Sequence, residues 1–231
     1  MTLLSITKRV SVPGITVILA LACREQPRSS AQNAPAQALP PAPSALWLVG
    51  PSAEEDFLHA STTEADLRQK VGAADVRPDT VYGGEGSFEV GTVVYPNDPG
   101  RRFQITWEDQ THSHPRDLHV GGERSEWRVY PGVTLGTSLS TLDSLNGGPL
   151  SVSGFEWDYP GGVGSYNGGR LDTLWRRGNA LGGLIRLALA PDSGAPDSLL
   201  RQVLGDHQFS SQLPALHALN PRVRSIVVRP R

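Results

Sequence analysis

A single cysteine, Cys23, occurs in 231 residues, so no disulfide can close within the chain and no thiolate cluster can hold a metal. Long apolar runs are lacking as well. The stretch Val10–Leu21 is interrupted by Pro13 and Gly14 and falls short of the roughly 20 residues that a membrane-spanning helix requires. Familiar catalytic signatures are missing: there is no G-x-S-x-G and no H-E-x-x-H, and the S-x-x-K of Ser5–Lys8 falls in the first few residues. The Trp157-Asp158 pair is not a propeller signature, because it does not recur every 40–45 or so residues. Lysine is scarce, 2 residues against 19 arginines, a bias that fits a GC-rich genome better than a special task for guanidinium groups. Excess positive charge is also absent. Residues 1–22 hold two of the 21 basic side chains and no acidic ones, which leaves 19 basic against 23 acidic residues. A surface of that sign does not suit nucleic acid, whose binding depends on cations that neutralise phosphates.

What is present begins with an export signal. Lys8 and Arg9 precede the apolar Val10–Leu21, and Ala20-Leu21-Ala22 offers a small-residue cleavage site, so residues 1–22 read as a signal peptide. A cysteine directly after such a site resembles the lipobox of bacterial lipoproteins. That resemblance implies that Cys23 is lipidated and becomes the first mature residue, anchoring the chain to a membrane of the cell envelope. The resemblance also implies the outer membrane, facing the periplasm or the cell surface, because Arg24 rather than aspartate follows the cysteine. The usual leucine three places before the cysteine is replaced by Ala20, with leucines at 19 and 21. Cleavage at the ordinary A-x-A signal, leaving Cys23 unmodified, is the alternative.

Residues 23–45 follow as a Pro-, Ala-, Gln- and Ser-rich stretch without aromatics, a composition that cannot bury enough surface to repay ordering. It reads as a disordered tether with a reach of roughly 60 Å at about 3.1 Å per residue. Residues 46–231 suffice for one globular domain, or for two subdomains, 46–124 and 125–231, sharing a core. Within them Leu46–Gly50 reads as a strand. Ser61–Gly72 reads as a helix capped by Ser61, Thr62 or Thr63, with Leu67 and Val71 on one face and Gly72 as its stop. Ser87–Pro96 and Arg101–Asp109 read as a hairpin around Pro96–Gly100. Further strands are expected at Ser125–Ser138, Leu150–Tyr159, Gly169–Trp175, Leu184–Ala190 and Val223–Val228, and further helices at Thr137–Gly147, Pro196–Asp206 and Ser211–Pro221. The fold class is therefore α+β: short helices packed on antiparallel sheet, with a helix-glycine-strands pattern that occurs twice.

That unit, "GTSLSTLDSLNG" followed by β-structure, resembles the small α/β repeats of outer-membrane assembly and β-lactamase-inhibitor-like lipoproteins. "GTVVYPNDP" together with "LNGGPLSVSGFEWDYPGG" is similar to bacterial envelope proteins of no known activity. These resemblances imply a fold and a location and carry no mechanism.

Two stretches hold candidate site residues. "WEDQTHSHPRDLH" gathers Glu108, Asp109, His112, His114, Asp117 and His119. On a strand, His112 and His114 would point to one face about 7 Å apart and suit a shared metal, with Asp109 or His119 as a third ligand. The competing reading is a polar loop ended by Pro115. "GFEWDYPGGVG" alternates Phe155, Trp157 and Tyr159, which on a strand would share one face, with Glu156 and Asp158 on the other. Buried, these aromatics are core; open, Trp157 and Tyr159 dock a partner. The expectation is a lipid-anchored envelope protein that binds or assembles another envelope protein without catalysis, cofactor or nucleic acid. The alternative is a metal-binding protein or metal-dependent hydrolase built on the His112/His114 loop.

Overall fold

The computed structural model describes residues 48–49, 58–177 and 184–230. The signal peptide 1–22, Cys23 and the tether 23–45 lie outside the described residues. In chain order the elements are β1 (Leu48–Val49), α1 (Glu64–Val71), β2 (Val76–Tyr82), β3 (Phe88–Val94), β4 (Phe103–Trp107), β5 (Pro115–Gly121), β6 (Arg128–Val129) and β7 (Val133–Thr134). They continue with α2 (Leu139–Asn146), β8 (Ser151–Ser153), β9 (Val163–Ser165), α3 (Arg170–Asp172), β10 (Leu184–Ala190), α4 (Asp197–Leu200), β11 (Gln208–Ser210), α5 (Pro214–Leu219) and β12 (Arg222–Arg229). The fold is α+β. Its main sheet has six strands in the order β10-β12-β5-β4-β3-β2, all antiparallel, with small sheets β11-β8-β9 and β1-β6-β7 beside it. Strands from both sides of residue 124 pair within the main sheet, since β12 lies against β5. Both α1 and α2 lead into antiparallel strands, α1 into the main sheet and α2 into the sheet of β8, β9 and β11. Among the described residues no helix is long and apolar enough to cross a membrane.

Local chemistry explains the helix ends. Of the three candidate caps it is Thr63 that starts α1: its hydroxyl accepts from Asp66 N at 3.1 Å while the Asp66 carboxylate accepts from Thr63 N at 2.9 Å. This reciprocal box satisfies two amide groups that the first turn otherwise leaves unpaired. Ser138 caps α2 through Thr141 N, and Gly147, at φ 76°, ends it. Leu139 and Leu142 are buried as the stripe predicts. In the main sheet, alternation sends Val94, Phe103, Ile105, Leu118, Val120, Ile185, Leu187, Ile226 and Val228 into one continuous core with Leu67, Leu142, Leu171, Trp175 and Leu216 from the helices. The opposite face carries Gln104, Asp117, His119, Arg186 and Arg229.

Two strand expectations are corrected. Gly169–Trp175 is helical, α3 running into a π-helical turn at Thr173–Arg177. Leu171 and Trp175, four apart, fit one helical face as well as they fit alternation, but Leu174, which alternation would send to the other face, packs against the same core. Leu150–Tyr159 is a strand only over Ser151–Ser153. Beyond it Phe155 N donates to Val203 O at 2.9 Å and Glu156 takes φ 60°, which turns the chain out of the sheet. Phe155 is buried and Trp157 half-buried, while Tyr159 is 52% exposed, so the three aromatics do not share a sheet face.

Candidate functional site

The β2–β3 hairpin outruns the sheet. β4 pairs with Thr92–Val94 only, whereas β3 from Phe88 to Gly91 pairs with Asp79–Tyr82 alone, so the end of the hairpin projects as a two-stranded arm. Gly91 marks the departure point: a Cβ there would lie 2.2 Å from Ile105 O, an approach that only glycine permits. Glu85 and Gly86 both have positive φ, 57° and 67°, and form the tight loop that reverses the chain with the hand favoured by twisted strands. Gly83 N donates to Ser87 O at 2.8 Å and closes it.

A lone two-stranded ribbon is marginally stable in water, so this arm needs supports. Polar ties supply some of them. Asp79 accepts from Arg102 Nη2 at 2.7 Å and from Gln104 Nε2 at 2.8 Å, and Glu89 is ion-paired with Arg116 of β5. The ring of Tyr159 lies against Gly84, where a Cβ would fall 2.4 Å from its Cε1. Trp157 packs edge-on to Tyr159 at 5.5 Å and donates its indole N–H to Gly154 O at 2.9 Å.

With its base held, the arm presents apolar surface to solvent. Tyr82 and Phe88 are cross-strand partners on one face, 77% and 69% exposed, and Val90, two residues from Phe88 on that face, is 67% exposed. Together with Tyr159 at the tip, these are all the exposed large hydrophobic side chains among the described residues. Single exposed apolar residues are ordinary, but their concentration on one protrusion singles the arm out as the candidate surface. The strand edge beside them is blunted. The hydrogen-bonded pairs Asp75/Tyr95 and Gly83/Ser87 fix the alternation, so Val76, Pro78, Thr80 and Tyr82 turn their backbone groups outward. Pro78 has no N–H to offer, and Thr80 N is taken by Asp79 Oδ1 at 3.0 Å. Recognition through side chains therefore suits the arm better than addition of a strand along β2.

The histidine stretch is arranged differently from a strand-borne pair. His112, at φ 51°, sits in the loop between β4 and β5, where no strand continues. Its Nδ1 hydrogen-bonds Glu64, its ring stacks on Trp107 at 5.1 Å and 8°, and its carbonyl accepts from Glu64 N at 3.0 Å. His114 Nδ1 is turned to Ser113 Oγ at 3.0 Å. Asp109 accepts from Thr111 N and Oγ1 at 2.7 and 2.6 Å, bonds that hold its carboxyl below the usual range. Asp117 and His119 lie across the sheet, facing away from the core, and Glu108 sits in the loop. Among the described residues no group of three His, Cys, Asp or Glu side chains comes together as a metal would require.

What His112 does is clamp α1 to the sheet. Glu64 also accepts from Arg68 Nη2 at 2.7 Å and from Thr92 Oγ1 at 2.9 Å, and Thr92 in turn accepts from the Trp107 indole at 2.9 Å. Burial alone would raise the Glu64 pKa, but the hydrogen bonds from Arg68, His112 and Thr92 together hold it below the ordinary glutamate range. A carboxyl depressed in the folded state stabilises above its unfolded value, and that contribution is lost as pH falls through the folded one. Glu64→Gln is therefore expected to cost about 1 kcal/mol at neutral pH, allowing for solvent screening of Arg68. Urea midpoints of both proteins should converge as the solution is acidified below the ordinary glutamate range. An equal gap at neutral and acid pH would show that the charge of Glu64 is not what holds the clamp.

The chain matches no known protein family, and neither a curated protein nor a solved structure is detectably similar to it.

Proposed function

We propose that this protein is a lipid-anchored component of a bacterial cell envelope, held by Cys23 and its tether, that binds an apolar surface of another envelope protein without catalysing a reaction. The observation that carries the binding role is the projecting arm with Tyr82, Phe88 and Val90 bared on one face. Trp157 and Tyr159 act here as the arm's support and as the edge of its surface. The anchor rests on the sequence around Cys23, which supports a position at a membrane with roughly 60 Å of reach. An arm of this kind suits capture of a partner embedded in or resting on that membrane.

A photo-crosslinking residue placed at Phe88 in the native host is expected to trap a discrete neighbour. The same residue at exposed Arg201 should not, and adding Tyr82→Ser should abolish the Phe88 product. Since Tyr82 is largely exposed, that change should shift the melting temperature of the isolated protein little. A product that forms equally from Arg201, or that survives Tyr82→Ser, would remove the arm from the account.

A further inference from the structure

The face of the main sheet that turns away from the core holds a feature that the arm does not use. Asp117 of β5 lies directly across from Arg229 of β12, following the pairing of Val228 with Leu118 and Val227 with His119. Its carboxylate is almost fully shielded, 8% exposed, and accepts from Arg229 Nε at 3.0 Å and Nη2 at 2.9 Å in a two-pronged contact. Arg186 of β10 places Nη2 3.0 Å from the same carboxylate, and Arg116 Nε stands 4.0 Å away. Three guanidinium groups thus surround one buried acid. Glu89 pairs with Arg116 and Glu108 acts on Arg229 from beyond ion-pair distance, while Asp117 is the one carboxylate that both Arg186 and Arg229 contact directly.

The arrangement does more than neutralise Asp117. A guanidinium has five N–H donors in a rigid fork; Arg229 commits two of its nitrogens to Asp117 and Arg186 one, which leaves further donors. The side chains of Arg186, Arg229 and Arg116 are 45%, 39% and 34% exposed, so those donors are within reach of solvent. Asp117 fixes the forks in place, which removes part of the ordering cost that flexible arginines incur on binding. Beside them His119 Nε2 is shielded from solvent and has no hydrogen-bond partner. Burial holds the imidazole below its ordinary pKa, so the positive charge on this face is carried by the arginines. Fixed forks with donors to spare match an oxyanion, which accepts several N–H donors at once.

We infer that the Arg186, Arg229 and Arg116 cluster around Asp117 is a binding site for a phosphate group, carried either by a soluble ion or by a lipid headgroup.

The test uses the full chain in detergent, titrated calorimetrically with inorganic phosphate and with chloride at matched ionic strength. Saturable phosphate binding with a dissociation constant of about a millimolar or tighter is expected, with no counterpart in chloride. Arg186→Ala should weaken it about tenfold or more, and Arg186→Lys, which keeps the charge and loses the fork, should also weaken it. Arg201→Ala, remote from the sheet face, should leave it unchanged. Arg186 lies on an edge strand and is half-exposed, so its variants are expected to fold, which circular dichroism would verify. Equal heats with phosphate and chloride, or affinity indifferent to Arg186→Ala, would overturn the site. Sedimentation with phosphatidylcholine vesicles, with and without phosphatidic acid, then separates the sources. Extra retention on phosphatidic acid that is lost in Arg186→Ala assigns the site to a headgroup, and calorimetric binding without that preference assigns it to a soluble phosphate.

Discussion

Trp175→Ala is expected to lower the unfolding free energy by about 3–5 kcal/mol, a large share of the roughly 5–15 kcal/mol that holds a typical domain together. Trp175 is fully buried, packs edge-to-face on Tyr166 at 5.1 Å and 86°, and donates its indole N–H to Tyr130 O at 2.8 Å. Truncation removes the ring, opens a cavity that the neighbouring Leu171 and Tyr166 cannot fill, and takes the indole donor away from Tyr130 O. Trp175→Phe separates these effects. It keeps most of the buried area and loses the hydrogen bond, so its cost should be nearer 1–2 kcal/mol, or about a third of the alanine effect. Urea denaturation followed by circular dichroism would measure both. A loss below about 1 kcal/mol for alanine would mean that the α3 segment does not pack where it is placed.

Trp175 also shows where the sequence is ambiguous. In "GRLDTLW" the apolar residues at 171, 174 and 175 satisfy a helical face and, through 171 and 175 with Thr173 between, an alternating strand. Segments with a clear period were legible: α1 between Thr63 and Gly72, α2 between Ser138 and Gly147, and the strands that became β3, β4, β10 and β12. β2 was not, because Pro78 in its middle argues against a strand unless that strand is an edge, and edge position is a property of the whole sheet. The aromatic triplet 155–159 failed for a related reason. Alternation was present, but Gly154 and the positive φ of Glu156 divert the chain, and Val203 supplies the partner that makes this possible.

The candidate site was legible only at its margin. Trp157 and Tyr159 stand out as aromatics in a chain with few, yet the residues they support, Tyr82, Phe88 and Val90, look like ordinary strand formers. What exposes them is that β3 pairs with β4 only from Thr92 onward, a register that emerges from the assembled sheet. Glycine at 91 and the glycines at 83, 84 and 86 were the available signals, because glycines in a strand often mark a close approach or a departure from the sheet. The arginine cluster was more deeply hidden. Asp117, Arg186 and Arg229 are far apart in the chain and meet only because β12 lies between β5 and β10.

A second long-range joint yields the other large effect. Asn146, at the end of α2 and 1% exposed, donates from Nδ2 to Gly148 O at 3.1 Å and to Tyr166 O at 2.9 Å, and its Oδ1 accepts from Leu171 N at 3.1 Å. One amide thereby joins three segments and satisfies the first turn of α3. Asn146→Ala leaves Leu171 N buried without its partner and takes from Tyr166 O one donor, Gly169 N at 2.9 Å remaining, and is expected to cost about 2–3 kcal/mol. Asn146→Asp should be no milder, since a carboxylate facing two carbonyl oxygens would have to be buried. Gly169 tests the same joint from the other side, because a Cβ there would fall 2.3 Å from the Asn146 side-chain amide. Gly169→Ala should therefore destabilise the native chain by roughly 1–3 kcal/mol, the usual range for overpacking. In the Asn146→Ala background the added methyl enters space that the amide has vacated, and most of its penalty should vanish. Urea midpoints of the two single variants and the double variant measure this coupling directly. Additive penalties would show that Gly169 and Asn146 do not meet, and that the start of α3 is held by something other than this amide.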